Sequence, residues 1–157
     1  MTVTAQPPVL LIAFNRPELV RRQLAVLRTA GINQLYVAVD GPRPARPDDD
    51  IGRDAVIAAL DEIDWPCQVQ RRVLTVNCGL NDAVAGAIAW FFAHVDRGVV
   101  LEDDCMPRVE FFAFAGELLD RYAEHREVMM IAGVSLLTDP DAPASYVAAP
   151  VGHIWGW

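Results

Sequence analysis

Lysine is missing from this chain, and all 13 of its basic residues are arginine. That absence removes the Walker phosphate loop, Schiff-base and pyridoxal chemistry, the kinase ATP lysine and lysine-dependent nucleotidyl transfer. Any phosphate contact must come from arginine, backbone amides or a metal. Cysteine is scarce: Cys67, Cys78 and Cys105 are odd in number and contain no Cys-x-x-Cys pair. Neither a zinc site nor a disulfide framework is indicated, which points to a reducing compartment. Long apolar runs are lacking too. Val9 to Phe14 is too short for a signal or a membrane span, and Met1 to Pro8 carries no basic segment before it. We therefore expect no transmembrane segment and a soluble cytoplasmic protein, any membrane contact being peripheral. Positive charge is in the minority, and a formal charge of −8 argues against nucleic acid or anionic membrane as the main partner.

What is present suits one domain over residues 1–157, with an apolar share of 53% that supports a core. Val9-Leu10-Leu11-Ile12-Ala13-Phe14 is continuously apolar, the pattern of a central parallel strand covered on both faces. Asn15 stands three residues before Glu18 as in a capping box, with Pro17 in the first turn, and Leu19, Val20, Gln23, Leu24 and Leu27 follow at helical spacing until Gly31. A second buried strand, Leu35 to Val39, ends on Asp40-Gly41-Pro42, and the Pro-rich charged stretch from Arg43 to Asp50 reads as loop. Helix is expected from about Ile51 to Ile63, with Ile51, Ala55, Ala58, Ala59 and Ile63 inward. Gln68 to Leu74 alternates as a more exposed strand, and Asn77-Cys78-Gly79-Leu80 is turn chemistry before a helix from about Asp82 to His94. In that helix Gly86 permits close approach by another group. Gly98 to Leu101 is the next strand, then helix from about Val109 to His125 and a further strand at Val128 to Ala132. Strands alternating with helices give an α/β three-layer sandwich with a mainly parallel, Rossmann-like sheet.

Ligands bind such sheets at the carboxyl ends of their strands. Phe14-Asn15-Arg16, Asp40-Gly41 and Glu102-Asp103-Asp104 each follow a strand directly, so three polar tips converge on one edge. The acid triplet is the sharpest of them. Side by side, three carboxylates repel one another, and a hard cation such as Mn2+ or Mg2+ would offset that repulsion. A solvated acidic turn capping the following helix is the plain alternative.

Taken in order, the tip Ile12-Ala13-Phe14-Asn15-Arg16-Pro17, Val39-Asp40-Gly41, Asn77-Cys78-Gly79-Leu80 and Leu101-Glu102-Asp103-Asp104-Cys105-Met106-Pro107 with Phe111-Phe112 resemble a glycosyltransferase of the A-type fold. Within that fold the resemblance is to bacterial nucleotide-diphospho-sugar transferases of the family-2-like kind and, more distantly, to N-acetylglucosaminyltransferase I. The likeness spans nearly the whole chain. It implies that the triplet serves as an Asp-x-Asp-type motif: Asp104 ligates a divalent ion bridging the donor diphosphate, Asp103 lies near the ribose or the metal shell, and Glu102 faces the sugar hydroxyls. The implied partners are a nucleotide-diphospho-sugar donor, a UDP-sugar being favoured, and an acceptor sugar or glycan.

Further positions carry two readings each. Arg16 suits a diphosphate contact or a surface arginine, and Asp40 an acceptor from base or ribose or a simple turn aspartate. Phe14 packs on a base or in the core. Asn77 and Gly79 shape a donor pocket or only a turn. His94 and His125 read as caps near helix ends, whereas His153 adjoins Trp155 and Trp157, an aromatic segment that in the resemblance borders the donor sugar and acceptor cleft. Gly133-Val134-Ser135 lacks the second glycine of a nucleophile elbow. In the resemblance the acceptor-binding part and general base lie beyond Trp157, and Asp139 and Asp141 are weak substitutes, so donor binding is the firmer expectation than turnover. A noncatalytic binding or assembly module with the same fold is the alternative. A response-regulator domain also clusters acids at strand ends, but it needs a lysine.

Overall fold

Every residue of β1 (Val9–Ala13) is apolar, and alternation sends them to two sides. Val9, Leu11 and Ala13 join one buried cluster, while Leu10 packs with Ile12 in another, so the strand is covered on both faces. The computed structural model describes residues 6–134, 146, 149, 150, 152, 156 and 157. Within them, β1 is followed by α1 (Pro17–Thr29), β2 (Gln34–Val39), α2 (Pro47–Asp61), β3 (Gln68–Val73), α3 (Leu80–Phe92), β4 (Val99–Glu102) and α4 (Val109–Arg121). The four strands form one parallel sheet in the order β3-β2-β1-β4, an α/β architecture as expected.

Parity runs through the whole sheet. Val9, Leu35 and Val99 lie in register, and the odd-numbered residues of β1, β2 and β4 meet α1, α2 and α4 through Leu24, Val56 and Phe112. Leu10, Tyr36 and Val100 face the other way, onto Ala87 and Phe91 of α3. Helices therefore cover both faces. Burying a side chain such as Leu10 or Leu11 completely stabilises the fold by about 1.5–3 kcal/mol each. The edge strand β3 is more exposed, as its alternating polar residues require. None of the described helices is long and apolar enough to cross a membrane.

Helix boundaries depart from the sequence reading in instructive places. α2 begins at Pro47, inside the stretch read as loop, because Pro47 presets the first helical φ and Asp48, Asp49 and Asp50 suit the positive helix end. The buried stripe runs through Asp49, Val56, Ala59 and Leu60. Ile51, expected inward, is 70% exposed, and Ala58 is exposed as well. Nor does Asn15 cap α1: Arg16 occupies the N-cap position without a side-chain cap bond, and the Asn15 amide donates instead to Asp49 Oδ1 at 2.7 Å. That charge-assisted bond turns the side chain toward α2 rather than back onto the first turn of α1. Gly31 does end α1 in the left-handed region, with φ +73. α3 starts two residues early, and α4 stops at Arg121, short of His125.

The strand expected at Val128 to Ala132 does not form among the described residues. The outer edge of β4 is met elsewhere: Val100 exchanges both of its backbone hydrogen bonds with Trp157, at 2.5 and 3.2 Å, leaving the short run no strand to pair with there. Ser135, Asp139, Asp141, His153 and Trp155 lie outside the described residues.

Candidate functional site

The sheet grows from β1 outward through β2 to β3, then returns to place β4 on the other side of β1. Chain order thus reverses between β1 and β4. In open parallel sheets the crevice at the carboxyl ends of such strands is where ligands are bound. The acid triplet and Arg16 stand on its two sides.

Glu102 is the last residue of β4, and Asp103 and Asp104 occupy the centre of a tight turn closed by the Cys105 amide donating to Glu102 O at 3.0 Å. Asp103 is 3% exposed. Its Oδ2 accepts from the Phe14 amide at 3.3 Å, and its Oδ1 accepts from the Arg16 guanidinium. Arg16 also reaches Asp104 Oδ2 at 3.3 Å, so one arginine spans both carboxylates. Gln23 of α1 fixes the turn from below. It is fully buried, and its amide donates to Glu102 O at 2.7 Å and Cys105 O at 2.6 Å, the two carbonyls that bracket the acids, while its Oε1 has no partner among the described residues.

Electrostatics follow from this packing. Burial pushes the Asp103 carboxyl above the ordinary range even though Arg16 and the Phe14 amide pull it down. At the other end of the pair, partial burial works against the Arg16 charge, but Asp103 and then Asp104 outweigh it and raise the guanidinium. The two ends differ because Asp103 is enclosed and Arg16 is half exposed. Glu102 is raised by burial first, then by Asp104 and Asp103, with Arg16 only partly opposing. One cation among three acids leaves surplus negative charge on the turn.

Asp40 follows β2 and organises the opposite rim. Its Oδ1 accepts from the Gly41 amide at 2.8 Å and the Cys78 amide at 3.2 Å, and its Oδ2 accepts from Asn77 Nδ2 at 2.9 Å. Asn77 also donates to Gly41 O at 2.8 Å and accepts from the Gly79 amide at 3.2 Å. Glycine is required at 41 because a Cβ there would lie 2.2 Å from the Val76 carbonyl carbon. The three cysteine thiols are all shifted upward, burial being the first cause in each, which argues against a thiolate nucleophile.

Between these rims lies a cavity of about 330 Å³. Phe14, Arg16, Asp40, Asn77, Glu102 and Asp103 all line it, so the three strand tips do converge. Asp104 is 55% exposed in its side chain and faces a second, larger cavity with Met106, Phe111 and Phe114. Gly79 is the N-cap of α3, with φ +82, and shapes the turn without lining the first cavity. His94 hydrogen-bonds Trp90 O at 2.8 Å and His125 pairs with Glu127 at 2.9 Å, both away from the crevice. Sequence reasoning passed over Arg43 and Arg72, which also line the cavity. Arg43 lies over the Phe14 ring, 5.4 Å from its centroid, and grips the buried Asp49 at 2.6 and 2.8 Å. Gln23 carried a signal, a polar residue on an apolar helical stripe.

Whether the acids suit a divalent ion can be judged from their partners. Among the described residues no three His, Cys, Asp or Glu side chains form a ready-made cage. Both Asp103 oxygens are engaged, whereas Asp104 Oδ1 meets only the Cys105 thiol at 3.7 Å and the Glu102 carboxylate lacks a hydrogen-bond partner among the described residues. Each leaves a free carboxylate oxygen, the kind of ligand Mg2+ and Mn2+ take singly or in pairs with water and phosphate oxygens completing the shell, Glu102 on the first cavity and Asp104 on the second. The chain matches no protein-family model, no curated protein and no solved structure.

Proposed function

We propose that the chain is a metal-dependent glycosyltransferase, or the donor-binding part of one, acting on a nucleotide-diphospho-sugar. The observation that carries the reading is the meeting of Arg16, Asp103 and Asp104 at the β1–β4 crevice, where Arg16 and Asp103 share the first cavity with Asp40 and Asp104 opens on the second. Asp104 would hold Mn2+ or Mg2+ with Glu102 nearby, and the bound ion would supply Lewis-acid stabilisation of the departing diphosphate. Arg16 orients Asp104 and adds a positive charge where the leaving group gathers negative charge. Asp103 holds Arg16 in place. Phe14 and Asp40 offer an apolar face and an acceptor to the nucleoside, and the partly buried Glu102 offers an acceptor to sugar hydroxyls. The specific nucleotide-diphospho-sugar transferase fold, a UDP-sugar as donor and an acceptor sugar or glycan belong to the same proposal, as does a cytoplasmic location.

A noncatalytic module that binds the same ligand is the second reading. It is favoured by Arg16 being committed to two carboxylates rather than free for phosphate. Incubating the purified chain with several sugar nucleotides and manganese, and measuring nucleoside diphosphate release, separates the two. The transferase reading expects release that chelation abolishes and that Asp104→Asn lowers by about a hundredfold or more. Binding without release from any donor would leave the module, and no binding at all would end both readings.

A further inference from the structure

Register puts four residues in one row across the sheet. Ile12 pairs with Glu102 on one side and Ala38 on the other, and Ala38 pairs with Arg72. All four belong to the face covered by α3, and all line the same cavity. The row is apolar in the middle and charged at its ends, a carboxylate on β4 and a guanidinium on β3. Three strand spacings, about 14 Å of backbone, separate them.

Arg72 differs from its neighbour in a telling way. Arg71 points to the opposite face and is satisfied by Asp61 at 2.6 Å and Leu60 O at 2.8 Å. Arg72 is partly buried and makes no side-chain hydrogen bond or ion pair among the described residues. Even a cation only partly withdrawn from water gains from a counter-charge, so its surroundings bear on its role. They do so through Gly86 of α3. A Cβ at that position would lie 3.2 Å from Arg72 Nη2 and 3.4 Å from Nη1, so the guanidinium packs closely against the bare backbone of the helix. The fork is thus held inside a cavity, its donors unused.

We propose that Arg72 is an oxyanion subsite at the β3 end of the cavity, taking a phosphate or carboxylate group of the ligand without help from a metal. A planar fork of donors suits both groups bidentately. The ligand is then anionic at the β3 end and either rich in hydroxyls or bridged by a cation at the β4 end. This deepens the donor-binding reading and rests on it for the identity of the ligand, but the subsite can be tested without any nucleotide.

The test is thermal unfolding in chelator at constant ionic strength, with inorganic phosphate, glucuronate or neutral glucose as the probe. Phosphate or glucuronate raises the melting temperature of the natural chain and glucose does not; which anion acts tells the phosphate source from the carboxylate source. Arg72→Gln weakens the response by at least about tenfold in apparent affinity. Arg28→Gln, on the exposed side of α1, leaves it unchanged. Should Arg72→Gln melt early in buffer alone, Arg72→Lys carries the test, since it keeps the charge, removes the planar fork and must still weaken the response. No stabilisation by either anion, or an equal response in Arg72→Gln, overturns the subsite. Because these probes contain no nucleotide, that failure is distinct from a failure of nucleoside diphosphates to bind with manganese.

Discussion

Arg16 and Asp103 stand 87 residues apart in sequence and join side chain to side chain where β1 and β4 end. The pair is lopsided, with a buried carboxylate answered by a half-exposed guanidinium. Removing the arginine leaves an enclosed charge without its cation, whereas neutralising the acid removes a charge that burial already disfavours. Arg16→Gln should therefore destabilise the fold by about 2 kcal/mol, discounted for exposure, and Asp103→Asn by less. Urea denaturation of the two variants checks the order. A larger loss in Asp103→Asn would contradict this account of the pair.

Gln23 makes a separate prediction because it touches backbone and not the acids themselves. Gln23→Leu keeps the volume but leaves Cys105 O without the amide donor it has now, at a cost of about 1–2 kcal/mol. Amide exchange should quicken in the turn from Glu102 to Cys105 while the amides of β1 stay protected. Unchanged exchange in the turn would show that the glutamine does not hold it.

Acid sensitivity has two limbs of opposite sign. Asp49 is held down to about 2, chiefly by its bonds to Arg43. Its folded value lies below the unfolded one, so its contribution is in place above about pH 4 and is lost as pH falls toward 2. Glu102 and Asp103 are shifted the other way by burial, so their ionised forms weigh against folding, and mild acidification relieves that penalty as pH falls through their raised values. Stability measured by urea unfolding against pH should lose part of its steep low-pH limb in Asp49→Asn. In Asp103→Asn the rise on mild acidification should shrink instead. Unaltered curves in both variants would contradict the assignment.

Much of this was legible in the chain because period and punctuation agreed. The run from Val9 to Phe14 reads as a strand buried on both sides, and the parity that places Leu10 toward α3 carries Glu102 to that side as well. Tips that follow strands directly converge because the strands are parallel. What stayed hidden depends on partners distant in sequence. Nothing near Asn15 announces Asp49, and nothing near Val128 to Ala132 announces that Trp157 meets β4. Gly86 did signal a close approach, but only the β3 register names the group that approaches as Arg72.

The account rests on the acidic turn holding a divalent ion against phosphate oxygens of a ligand. Calorimetric titration of the purified chain with a set of nucleoside diphosphates, in manganese and in chelator, tests that most directly. At least one of them should bind about a hundredfold or more tightly with manganese, and Asp104→Asn should bring the two conditions together. Equal affinity with and without manganese in the natural chain would contradict the central claim.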